Sequence, residues 1–200
     1  MNNTNTQPGL SVVLFTDQKR SHIIAHIIRL SAFINKQTSR NHAGLIYVNA
    51  KGERMLFEIV KAGVQYRPLE AKLKDFKGQY REYAILTQAE CKGLYIANTF
   101  NSFKGYKYSI REAIGAFQFK NKMLGKIFNR FLQSLRSMRN NKTYCNAIVL
   151  YALEKINIKA KNPKIAELLH FAQVRFNGYE GLTPADLEDL IQLVYNTGAN

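Results

Sequence analysis

Apolar residues fall in short runs along this chain, some alternating with polar residues and some continuous, separated by turn-forming residues. Gly9-Leu10-Ser11-Val12-Val13-Leu14-Phe15 is apolar and β-branched, which predicts a first strand. Ser21 is placed to cap a helix running to about Ile34, with Ile23, Ile24, Ile27, Ile28 and Leu30 as its buried stripe. Two strands follow, His42–Val48 and Arg54–Val60. The Asn49-Ala50-Lys51-Gly52 segment between them suits a type I turn closed by a left-handed glycine. Tyr66-Arg67-Pro68-Leu69 leads into a short helix around Glu70–Phe76, and Tyr83–Thr87 reads as another strand. Ala89–Ala97 and Ile110–Phe117 read as helices, Asn121–Arg139 as a basic amphipathic helix, and Thr143–Ile156 as the most apolar helix. Pro163 opens a further helix ending before Asn177-Gly178, and Thr183-Pro184-Ala185-Asp186-Leu187 starts the last one. With no internal repeat and no clear linker, the expectation is one α+β domain over residues 9–200 after a polar tail at 1–8.

Composition narrows this only a little. Two hundred residues with 46% hydrophobic and 12% aromatic content can bury a sizeable core. The first residues have neither the basic start nor the apolar centre of a signal peptide. No apolar run approaches the roughly 18 residues of a membrane span. A cytoplasmic location is therefore expected. Cys91 and Cys145 could pair only once, and without a secretory signal free thiols in a reducing compartment are expected. There is no phosphate-binding loop and no dinucleotide glycine pattern, and no cofactor is expected.

Charge changes the picture more. Twenty-nine Lys and Arg against 14 Asp and Glu give a formal charge of +15. Such a surface attracts an anionic partner, whether nucleic acid, anionic lipid or an acidic polymer, or it only keeps the protein soluble.

The candidate chemistry lies in two segments about a hundred residues apart. Asn41-His42-Ala43-Gly44 puts an imidazole at the mouth of an apolar strand, and Thr143-Tyr144-Cys145-Asn146 puts a thiol at the mouth of an apolar helix. With Thr143 as N-cap, Cys145 takes the second helical position. There the unpaired N–H groups and the helix dipole favour a thiolate, and the Cys145 N–H can help hold an oxyanion. A three-residue loop at Ala50-Lys51-Gly52 makes Asn49 face Glu53, Gly44 face Glu58 and His42 face Val60. His42 and Glu58 then share a sheet face as diagonal neighbours roughly 7–8 Å apart, and Gly44 leaves the carboxylate room. A two-residue loop would separate them onto opposite faces. Glu58 is also the only acid in Met55-Leu56-Phe57-Glu58-Ile59-Val60, where a charge needs a partner. That partner is either His42, oriented for general-base work, or a lysine in a purely structural pair.

Taken together these segments resemble the circularly permuted papain-like fold of the NlpC-type superfamily, in particular the YiiX-like amidases. The resemblance rests on Gly9–Leu14 as opening strand, Asn41-His42-Ala43-Gly44-Leu45-Ile46, Phe57–Leu69, Tyr144-Cys145-Asn146-Ala147-Ile148-Val149 and Leu182-Thr183-Pro184-Ala185-Asp186-Leu187, in that order over nearly the whole chain. Asn146 and Ala147 depart from the family's Ser-Glu after the cysteine, Asn41 departs before the histidine, and Lys120–Arg139 is unusually basic. The resemblance implies an antiparallel sheet carrying His42 and Glu58 packed against a helix carrying Cys145. It implies Cys145 as nucleophile, His42 as base and Glu58 as orienting acid of a cysteine hydrolase cleaving an amide or ester.

Other groups carry less. His22 and His26 stand four apart on a helix, as zinc ligands can, without a third ligand, and no metal is expected. His170 reads as a helix-end residue and Cys91 as structural. Phe117-Gln118-Phe119-Lys120-Asn121-Lys122 through Arg139 mixes stacking and phosphate-binding residue types. It supports the rival reading, a non-catalytic basic protein that binds nucleic acid or another anionic polymer.

Overall fold

The computed structural model describes residues 7–17, 40–109, 142–176, 179 and 182–196. The expected helices at Ser21–Ile34, Ile110–Phe117 and Asn121–Arg139, with His22 and His26, lie outside the described residues.

Five strands form one antiparallel sheet: β1 Pro8–Asp17, β2 His42–Val48, β3 Arg54–Val60, β4 Gly63–Pro68 and β5 Gly78–Thr87, in the order β4-β3-β2-β1-β5. Between β4 and β5 lies α1 (Leu69–Leu73), and after β5 come α2 (Gln88–Cys91) and α3 (Ile96–Asn101). Two short strands, β6 (Lys107–Tyr108) and β7 (Lys142–Thr143), pair in parallel. Then come α4 (Cys145–Ala160), α5 (Pro163–Phe176) and α6 (Pro184–Asn196). The fold is α+β. None of these helices is long and apolar enough to cross a membrane.

The sheet is covered on both faces, which is why its central strands are apolar without a clean alternation. One face presents Leu10, Val12, Leu14, Ala43, Leu45, Phe57 and Ile59 to the main core, with α4 lying against β2 and β3. The other presents Val13, Phe15, Ile46 and Leu56 to a smaller layer closed by Leu69 of α1. α4 is buried along most of its length, and α5 and α6 pack outside it.

Six expectations need correction. His170 lies within α5 and not at a helix end, and β5 begins at Gly78, five residues before Tyr83. β4 was not anticipated, yet Val64 and Tyr66 pack on the main core while Gln65 and Arg67 alternate with them. α1 ends at Leu73, short of Phe76. The single helix expected over Ala89–Ala97 is two. α2 is held by a reciprocal cap between Thr87 and Glu90, and the chain then breaks at Gly93 (φ 78°) and Tyr95 (φ 50°) before α3 begins. Finally, Tyr144 rather than Thr143 is the N-cap of α4, so Cys145 is its first residue. Thr143 belongs instead to β7. The start of α6 is as expected: Asp186 N–H donates to Thr183 Oγ1 at 3.2 Å, and Thr183 N–H donates to Asp186 Oδ2 at 3.0 Å.

Candidate active site

The β2–β3 hairpin sets the geometry of the first two candidate residues. Asn49 closes the turn with its side chain, Oδ1 accepting from the N–H groups of Lys51 (2.9 Å) and Glu53 (3.0 Å). Gly52 takes the left-handed conformation, φ 79°. The three-residue loop makes Gly44 the partner of Glu58. A Cβ on Gly44 would lie 2.9 Å from the Phe57 carbonyl oxygen and 3.0 Å from Leu56 Cδ1, so only glycine fits beside the Glu58 side chain.

His42 and Glu58 meet across that gap. His42 Nε2 and Glu58 Oε2 are 2.7 Å apart, and both residues are buried. Arg67 Nη2 donates to Glu58 Oε1 at 2.8 Å, and Lys72 Nζ lies 3.5 Å from Oε2. Burial by itself would raise the Glu58 pKa. The hydrogen bond and charge of His42, the charge of Lys72 and the hydrogen bond from Arg67 together outweigh it and hold the carboxyl well below the usual carboxylate range. Glu58 is an anion, and it fixes Nε2 of His42 as the protonated nitrogen and Nδ1 as the basic one.

Cys145 opens α4 behind an N-cap that contributes no side-chain hydrogen bond. The orphan N–H groups of that first turn are the local feature suited to an anion. Its neighbours are locked to a distant loop. Tyr144 OH donates to the Leu182 carbonyl at 2.9 Å, and Asn146 Nδ2 donates to the same oxygen at 2.9 Å. Asn146 Oδ1 lies 3.7 Å from Cys145 Sγ. The thiol itself is buried, 3% exposed.

Strand alternation constrains how the thiol and the imidazole are related. Gly44, Ile46, Leu56 and Glu58 point to the layer of Phe15 and Leu69, and His42 points with them, its ring 5.9 Å from that of Phe15. Cys145 belongs to the core on the other face. The structure therefore brings His42 and Glu58 directly together. Cys145 opens α4, which lies against β2 and β3 on the other face, and His42 is the first residue of β2.

Several residues were missed by sequence reasoning. Arg67 and Lys72 at Glu58 were legible in principle, since Arg67 alternates onto that face once β4 is recognised. Gln65, directly across from Glu58, keeps Oε1 buried without a hydrogen-bond partner among the described residues, as does Thr143 Oγ1 two residues before the cysteine. A second buried acid, Glu188 of α6, gave no sequence signal. It accepts from Arg40 Nε at 3.2 Å and from Tyr83 OH at 2.5 Å, and Gln192 Nε2 in turn donates to Tyr83 OH at 3.3 Å. Arg40 also donates to Thr16 Oγ1 at 3.1 Å, so this network braces the chain two residues before His42. Cys91 is a buried free thiol whose pKa burial and the nearby Glu90 push up to about 12. Among the described residues, no three His, Cys, Asp or Glu side chains are grouped as metal ligands would be.

No family model matches the chain, and no curated protein matches it. Among solved structures, the chain is similar to the metalloprotein yiiX from Escherichia coli O157:H7, described as DUF1105. The two are 14% identical, the match covers 90% of this chain and 87% of that one, and the TM-score is 0.46.

Proposed function

We propose that this protein is a cysteine hydrolase of the circularly permuted papain-like kind, cleaving an amide or ester through an acyl-enzyme. The observation that supports it best is the buried His42–Glu58 pair. Arg67 and Lys72 already compensate the Glu58 charge, so a stable fold does not need an imidazole there as well. Bonding Nε2 to a carboxylate fixes a histidine in one tautomer with Nδ1 as its base, the arrangement general-base catalysis uses.

In this reading Nδ1 of His42 takes the Cys145 thiol proton. The sulfur attacks the substrate carbonyl, and the tetrahedral oxyanion is held by backbone N–H groups at the start of α4. As the carbon–nitrogen or carbon–oxygen bond breaks, the imidazolium returns its proton to the departing amine or alcohol. Water, deprotonated by the same nitrogen, then releases the acid and regenerates the thiol. Glu58 stays ionised throughout and stabilises the imidazolium. The bonds from Tyr144 and Asn146 to Leu182 hold the helix end still, as a positioned nucleophile requires.

Turnover of a small acyl ester, such as p-nitrophenyl acetate, tests the proposal. Cys145→Ala is expected to abolish the burst and the steady rate, and Cys91→Ala to leave both unchanged. A Cys145→Ala protein that folds and turns over at the wild-type rate refutes it.

A further inference from the structure

The C-terminal half of α4 lines a second feature, independent of the cysteine. An open groove of about 450 Å³ runs between α3 and α4, with Tyr95, Asn98, Thr99 and Ser102 along one wall and Lys155 and Lys159 along the other. Lys155 is ten residues from Cys145, or roughly 15 Å along the helix axis at 1.5 Å per residue.

Three properties mark the groove out. Its lysines are held by rings and a hydroxyl instead of carboxylates. Lys159 Nζ lies 4.9 Å from the Tyr95 ring centroid, and Lys155 Nζ lies 4.4 Å from that of Phe103 and donates to Ser102 Oγ at 3.1 Å. Neither forms an ion pair among the described residues, and nor do Lys92, Lys104 and Lys161, exposed just beyond the same segments. Second, Tyr95 is 66% exposed and sits in the left-handed region, a costly conformation for a bulky residue. Third, the groove is shallow and open, and wide enough to take one planar ring with its substituents.

We propose that this groove binds single-stranded nucleic acid, one base stacking on Tyr95 and the adjoining phosphates lying on Lys155 and Lys159. Aromatic stacking beside unpaired cations is how single strands are held without regard to sequence. The lysines flanking both ends extend the positive track along a strand several nucleotides long.

Anisotropy of a fluorescein-labelled dT12 strand, titrated with the full chain from 50 to 200 mM salt, is the test. Lys155→Gln with Lys159→Gln is expected to make the log–log salt slope about 1.4 shallower, two phosphates at roughly 0.7 each. Tyr95→Gly suits the backbone conformation, so it removes the ring without adding strain, and it is expected to weaken binding about tenfold, with Tyr95→Phe restoring it. Cys145→Ala is expected to bind like wild type, which separates this site from the hydrolase proposal. Three results would overturn the proposal. The groove variants could bind dT12 as wild type does. Binding could instead be lost on changing Lys120, Lys122, Lys126 and Arg130 to Gln. Or vesicles with a quarter phosphatidylserine could bind with the Tyr95 dependence that dT12 lacks.

Discussion

Replacing Glu58 with glutamine changes one atom type at the most constrained carboxylate in the protein. The amide oxygen can still accept from His42 Nε2, but the amide NH2 then faces Arg67 or Lys72, a donor against a donor. The environment of Glu58 makes such a change costly. Its side chain is fully buried, Lys72 is 13% exposed and Arg67 is 36% exposed. Hydrogen bonds to charged groups contribute about 1.5–3 kcal/mol each. Discounting both cations for their access to water, the expected loss is about 2–3 kcal/mol at pH 7. At ~2–4 °C per kcal/mol for a chain of this size, the melting point falls by roughly 5–10 °C. Acid dependence makes the test specific. The Glu58 pKa is depressed from its ordinary 4.5, so its stabilisation is fully present above that pH and is lost as pH falls towards the folded-state value. Glutamine has no such titration. In urea titrations at pH 7 and pH 3, the wild-type advantage is therefore expected to be largest at pH 7 and to shrink at pH 3. A gap of the same size at both, or no gap, would mean that Glu58 is not the ionised centre of a cation cluster.

Competitive labelling with iodoacetamide at neutral pH, read by mass spectrometry, is expected to modify Cys145 well before Cys91, whose thiol is almost wholly protonated there; equal labelling would sink the assignment. Gly44→Ala is expected to cost about 1–3 kcal/mol by forcing a methyl against the Phe57 carbonyl, and to lower ester turnover more than its melting point accounts for, because it displaces Glu58. Glu188→Ala is expected to destabilise by about 3 kcal/mol in urea titrations, leaving Arg40 and Tyr83 without their shared acceptor, and a loss below about 0.5 kcal/mol would contradict the network. His42→Ala is expected to lower turnover more than Glu58→Gln does, since it removes the base itself; equal or milder loss would argue against the general-base role.

The parts of the fold legible in the sequence are those whose signal is local. Asn49 and Gly52 specify the hairpin loop within five residues, and the loop fixes which residues share a face with His42. The start of α6 was equally plain, because Thr183 and Asp186 cap each other three residues apart. β4 was obscured by a glycine at one end and a proline at the other, and by Gln65 and Arg67, whose polar side chains serve Glu58's face of the sheet. Cys145 was placed one position too deep, because Tyr144 is anchored through its hydroxyl to carbonyls 35 and 38 residues away. No local pattern reports such a bond. The same holds for Glu188, whose partners Tyr83 and Arg40 lie 105 and 148 residues distant.

Those long separations have a consequence for how the protein comes into being. Translation proceeds from the N-terminus at about 5–20 residues per second, and early segments can begin folding as they emerge. The β2–β3 hairpin is complete by residue 60 and the cations that neutralise Glu58 by residue 72, so His42 and Glu58 can pair on a nascent polypeptide well before the C-terminal helices exist. Arg40 and Tyr83 must wait for Glu188, and Cys145 for the Leu182 loop that clamps its neighbours. A ribosome stalled before residue 182 would thus carry an imidazole already in place and a thiol not yet held. Whatever reactivity Cys145 has when anchored is delayed until synthesis is nearly finished. A chain truncated in α6 should accordingly keep its β2–β3 hairpin while losing the ester turnover proposed for the anchored thiol.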